Sequence, residues 1–170
     1  MDMKTAIHAG LAGLLTLPLL TGCGGDAGGG SPSEMTDAGY ASLGTSDFQG
    51  ALTSFEGALA NIEPGGEGFI RAAMGEVEAL IHIDAGQARD KFLALAQSYP
   101  DAIGSRQYKT VGGQLTSEKK FTEAIDVLDA GLKANPEDPS LTALITRVSE
   151  EAEKAGDTGA LSALEGLGYL

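Results

Sequence analysis

One arrangement recurs three times along this chain: a small residue, a large apolar residue one helical turn later, and a closing proline. It is found in "SDFQGALTSFEGALANIEP" (46–64), "AGQARDKFLALAQSYP" (85–100) and "KKFTEAIDVLDAGLKANP" (119–136). Ala51, Ala88 and Ala124 hold the small position, Phe55, Phe92 and Leu128 the large one, and the alanines lie 37 and 36 residues apart. Beyond Ser33 the apolar residues recur at helical rather than strand spacing, β-branched alternation is scarce, and Ala, Leu, Glu and Lys are common. A small residue lets two helices approach, and the large one fills the space beside the contact. A two-helix unit of this length cannot bury its apolar face alone, so the period predicts an all-α stack of helix pairs. Pro64 with Gly65 and Gly66, Pro100, and Pro136 with Pro139 supply the punctuation between helical patterns.

In detail the third segment resembles the tetratricopeptide repeat through Phe121, Ala124, Leu128, Gly131 and Pro136, preceded by Tyr108, Val111, Gly112 and Leu115 in the first-helix positions. The first segment matches at Phe48, Ala51, Phe55, Ala58 and Gly39, with Met35 in place of an aromatic residue and Pro64 one residue late. The middle unit departs most, with Ala72 and Ala85 replacing aromatics and Leu95 replacing an alanine. The resemblance covers residues 33–136, after which "LTALITRVSEEAEKAG" is expected to form a C-terminal capping helix. It implies a stack of antiparallel helix pairs whose first helices line a concave, protein- or peptide-binding surface. Thr36, Tyr40, Ala73, Val77, Arg106, Lys109, Gly113 and Thr116 would line it, and Tyr40, Arg106, Lys109 and Thr116 are the candidate contact residues. Tyrosine offers an amphipathic ring. Arg106 and Lys109 either receive a carboxylate or chain terminus, or offset Asp101 and Glu118 or Glu123 nearby.

Upstream, residues 6–20 are apolar apart from His8 and Thr16, too short to span a bilayer but long enough for a secretory signal core. Lys4 is offset by Asp2, and a start at Met3 would give the more usual "MKTAIHAG". "LTGC", Leu20, Thr21, Gly22 and Cys23, resembles a bacterial lipobox, which implies cleavage before Cys23 and lipid attachment to it. Cys23 is the single cysteine of the chain, so no internal disulfide forms. Stable attachment needs more than one acyl chain at roughly 0.8 kcal/mol per buried methylene. Gly24 rather than aspartate follows the cysteine, which by the same resemblance favours an outer membrane, facing the periplasm. "GGDAGGGSP" (24–32) has the composition of a flexible tether. The expected division is a signal peptide at 1–22, the lipidated cysteine and tether at 23–32, and the helical domain at 33–170.

Eleven basic residues against 24 acidic ones give a net charge of −13, and removing residues 1–22 takes away Lys4 and Asp2 without changing it. A surface of that sign repels phosphate backbones, so nucleic acid is not an expected partner. Once His8 leaves with the signal, His82 is the remaining histidine; Asp84 stands two residues on, on a different helix face. Motifs for zinc hydrolysis, serine nucleophiles or dinucleotides do not occur. The acidic pairs Glu76/Glu78, Asp126/Asp129 and Glu150/Glu151 suit a solvated face, and Asn135, Glu137 and Asp138 lack calcium-loop spacing. No catalytic residue, metal or cofactor is therefore expected. The expected function is non-catalytic binding of a protein or peptide. The alternatives are a subunit of an envelope assembly and, further off, a small-ligand receptor or enzyme with a pocket between repeats.

Overall fold

The computed structural model describes residues 30–170; the expected signal segment with Leu20, Thr21 and Gly22, the expected lipidation site Cys23 and the expected tether through Gly29 lie outside the described residues. Eight α-helices follow in order: α1 Pro32–Gly44, α2 Phe48–Leu59, α3 Phe69–Ile83, α4 Ala85–Ser98, α5 Ser105–Ser117, α6 Phe121–Ala134, α7 Pro139–Ala155 and α8 Thr158–Leu167. No strand is present among the described residues. Consecutive helices pack antiparallel, α4 and α5 excepted, and α1, α3, α5 and α7 lie side by side, as do α4, α6 and α8. This is the tetratricopeptide-like stack that the period predicts. The expected capping helix is α7, and the C-terminal residues add α8, which packs on both α6 and α7. No described helix is long and apolar enough to cross a membrane.

Local sequence sets where five of the helices begin. Ser31 and Glu34 form a reciprocal capping box, with the Ser31 amide donating to Glu34 Oε2 at 2.7 Å. Those bonds hold the Glu34 carboxyl below its ordinary range. Asp47, Asp84, Asp138 and Asp157 accept from backbone amides at the starts of α2, α4, α7 and α8. Pro139 opens α7 at its first turn rather than ending α6, the position where a missing N–H costs nothing. Gly156, at φ 68°, turns the chain from α7 into α8 in a left-handed conformation that a Cβ would strain.

The small and large positions do what their sizes require. Ala51, Ala88 and Ala124 are fully buried, as are Phe55, Phe92 and Leu128. The Phe55 ring lies against two glycines, Gly39 of its own pair and Gly75 of the next, and a Cβ at Gly39 would stand 2.6 Å from the ring. Leu128 fills the matching place beside Gly112. Aromatic edges link further helices: Tyr40 to Phe55 at 5.0 Å and Phe92 to Tyr108 at 5.1 Å between ring centres. In the fourth pair Leu141, Ile145, Val148 and Ala152 of α7 and Ala160 and Leu164 of α8 are buried, so this pair is part of the core.

One seam differs. Residues 60–68 make the longest connection of the stack, whereas Asp84 alone separates α3 from α4. Along the even-numbered side α4 packs on α6 and α6 on α8, but α2 does not close on α4, and a groove floored by α3 remains between them.

Candidate binding face

Odd-numbered helices present one side of the stack, and two adjoining depressions run across it. The first, about 550 Å³, is bounded by Tyr40 of α1, Ile70, Arg71 and Met74 of α3, and Arg106, Gln107 and Thr110 of α5. The second, about 370 Å³, shares Thr110 and adds His82, Gly113, Gln114, Ser117, Glu118 and Arg147. Helix α5 therefore serves both with one face, its residues 106, 110, 113, 114 and 117 recurring at three- and four-residue intervals.

Tyr40 is held rigidly. Its hydroxyl donates to the Arg71 carbonyl oxygen at 2.9 Å, and the Arg71 guanidinium lies over its ring, 4.9 Å from the centre. Burial, and then the negative charge of Glu78, push the phenol up from its ordinary pKa. Arg71 also pairs with Asp37 at 2.8 Å across a well-exposed contact. Such a surface pair contributes at most about 1 kcal/mol and yields readily to a competing carboxylate. Arg106 and Arg147 are exposed and make no ion pair among the described residues. His82 stacks on Phe48 with ring centres 3.9 Å apart, its Nδ1 3.5 Å from Glu118 Oε1.

The structure separates the four candidate residues predicted from sequence. Tyr40 and Arg106 meet in the first depression. Lys109 is spent internally: its Nζ reaches Asp138 Oδ2 at 3.1 Å, and Ser105 donates its hydroxyl to the same oxygen. Asp138 simultaneously caps α7 by accepting from the Ser140 amide at 2.8 Å. The hydroxyl of Ser105, the Ser140 amide and the Lys109 ammonium together hold its carboxyl well below the usual carboxylate range. Thr116 is buried, its hydroxyl donating to the Gly112 carbonyl oxygen at 2.7 Å, so it is not a surface contact residue. Thr36 is likewise buried and donates to Pro32. Ala73 and Val77 line the α2–α4 groove instead of this face.

Sequence reasoning missed Arg71 and Arg147. With a 36-residue offset Arg106 and Thr110 map onto Ile70 and Met74, the α3 residues that line the depression, whereas the mapping from Lys109 led to buried Ala73. Arg147 lies in α7, beyond the segments whose repeats align. Among the described residues no group of His, Cys, Asp and Glu is placed to hold a metal ion. Asp84, next to His82, instead caps α4 by accepting from the Gln87 amide at 3.0 Å. No family model, curated protein or solved structure matches the chain in comparisons with known proteins.

Proposed function

We propose that the odd-helix face binds an extended acidic segment of another protein, without catalysis, and that Cys23 anchors this binding module by lipid to the cell envelope. The observation that carries the reading is the placement of Arg106 and Arg147, exposed and without ion-pair partners among the described residues, in adjoining depressions of a chain whose net charge is −13. A guanidinium presents a planar fork to a carboxylate, and binding-site tyrosines add area at low entropic cost. Arg71 adds a third guanidinium, already engaged with a displaceable carboxylate. The lipobox-like "LTGC" and the glycine-rich stretch after it support an outer-membrane tether facing the periplasm.

Fluorescence anisotropy with a labelled peptide of alternating glutamate and leucine tests the face. Changing Arg106 and Arg147 together to glutamate should weaken binding by about tenfold or more, with a steeper loss at low salt. Equal affinity of the double variant and the parent would refute it. Mass spectrometry of the mature N-terminus tests the anchor separately: an unprocessed chain, or a Cys23 without lipid, would remove that part.

A further inference from the structure

The groove left between α2 and α4 has a polar end and an apolar end. Its volume is about 320 Å³, inside the range of roughly 300–1,000 Å³ common for small-molecule sites. Ala73 and Val77 form its floor, Leu59 and Leu95 its walls. Phe69 and Tyr99 close one end with ring centres 5.4 Å apart. At the other end the Glu76 carboxylate meets the Lys91 ammonium. Seven residues of α3 separate the rings' end from the carboxylate, roughly 10 Å at 1.5 Å per residue.

Glu76 is the anomalous member. The alanine offsets align it with Gly39 and Gly112, so the middle pair alone carries an acid where its neighbours carry glycine. Its side chain is 8% exposed, while that of Lys91 is 46% exposed. A buried carboxylate is costly, and an ion pair of this kind returns little net stability to the fold. The cation partner is also the more exposed one: the lysine stem is flexible, so its ammonium can turn into water and leave the carboxylate to another cation. An anionic visitor is disfavoured, because Glu76 stands at the polar end and Glu67 and Asp101 lie two residues from Phe69 and Tyr99 at the other.

We propose that this groove is a binding site for a small amphiphilic amine. The apolar body lies along Val77, Ala73 and Leu95 toward the Phe69–Tyr99 pair, and the ammonium donates to Glu76 in place of Lys91. The site uses α3 together with α2 and α4, shares no lining residue with the arginine face and does not depend on the function assigned to that face.

Hexylammonium, hexanol and hexanoate, titrated separately into the full chain and followed by amide NMR shifts at Ala73, Val77 and Leu95, test it. Hexylammonium should bind most tightly and hexanoate least. Glu76→Gln should weaken hexylammonium by about tenfold, the ordinary worth of a charge-assisted hydrogen bond, while hexanol changes little. Lys91→Ala should strengthen hexylammonium by removing its competitor. Ala94→Phe fills the groove from its exposed rim and should abolish shifts from all three probes with the melting temperature kept. Hexanoate binding as well as hexylammonium, shifts confined to the outer acidic surface, or an Ala94→Phe chain that folds and still binds would each overturn the proposal.

Discussion

Gly39→Ala and Gly113→Ala are the same chemical change on two helices of the same kind, and the structure assigns them opposite signs. An added Cβ at Gly39 would stand 2.6 to 2.8 Å from three atoms of the Phe55 ring. That ring is fully buried and backed by Gly75 on α3, so it has no space into which to retreat. Overpacking of this kind costs about 1–3 kcal/mol, and pinning from two sides places it toward the upper part of that span. Replacing a helical glycine by alanine returns about 1 kcal/mol of backbone entropy. The net effect at Gly39 is a loss of about 1–2 kcal/mol, or roughly 3–8 °C in melting temperature for a domain of this size. At Gly113 nothing stands within 4 Å of the added Cβ, so the entropic gain of roughly 0.5–1 kcal/mol is kept. Denaturant unfolding followed by far-UV circular dichroism at 222 nm measures both. Phe55→Leu in the Gly39→Ala background should recover part of the loss, a coupling of about 0.5–3 kcal/mol for groups in contact. Shifts of the same sign at Gly39 and Gly113, or strict additivity of Gly39→Ala with Phe55→Leu, would refute the packing argument.

Other perturbations probe other joints. Asp138 has its carboxyl pKa lowered in the folded chain, so its contribution is complete above the unfolded value near 4 and is lost as pH falls toward the lower folded value. Asp138→Asn should therefore lose less stability between pH 7 and pH 3 than the parent does in the same urea titration, and equal losses would exclude it as an acid-sensitive clamp. Phe55→Ala should cost about 3–5 kcal/mol by opening a cavity at a fully buried ring. Ala124→Leu should cost about 1–3 kcal/mol by calorimetry, because Ala124 is also fully buried. Gly156→Ala should destabilise by about 1 kcal/mol in denaturant unfolding, since alanine must take the same left-handed φ of 68°.

The alanines at 51, 88 and 124 made the stack legible because close helix approach leaves a size signature at a fixed interval. The placement of Tyr40 and Arg106 on the odd-helix face was legible for a related reason: each lies in a segment whose register is set by a nearby glycine, Gly39 or Gly112. The middle pair hid its contribution. Glu76 occupies the place of that glycine, so no local marker distinguishes the exposed Arg71 from the buried Ala73. The role of Lys109 was hidden by distance in the chain, since its partner Asp138 lies 29 residues on, past the end of α6. Thr116 was misplaced because the sequence shows a hydroxyl but not the carbonyl of Gly112 that takes it inward. The groove between α2 and α4 left no trace in any single segment, because it is a property of how two helices fail to meet.

That failure to meet does not loosen the first pair, because α1 and α2 both pack closely on α3, where Phe55 is held between Gly39 and Gly75. The thinner join lies one step on: α4 does not close on α5, and the first two pairs meet the last two chiefly where α4 packs on α6, with a slighter approach of α3 to α5. Amide hydrogen exchange should therefore register α1 to α4 and α5 to α8 as two cooperative units, the stack parting between them before the first pair leaves α3.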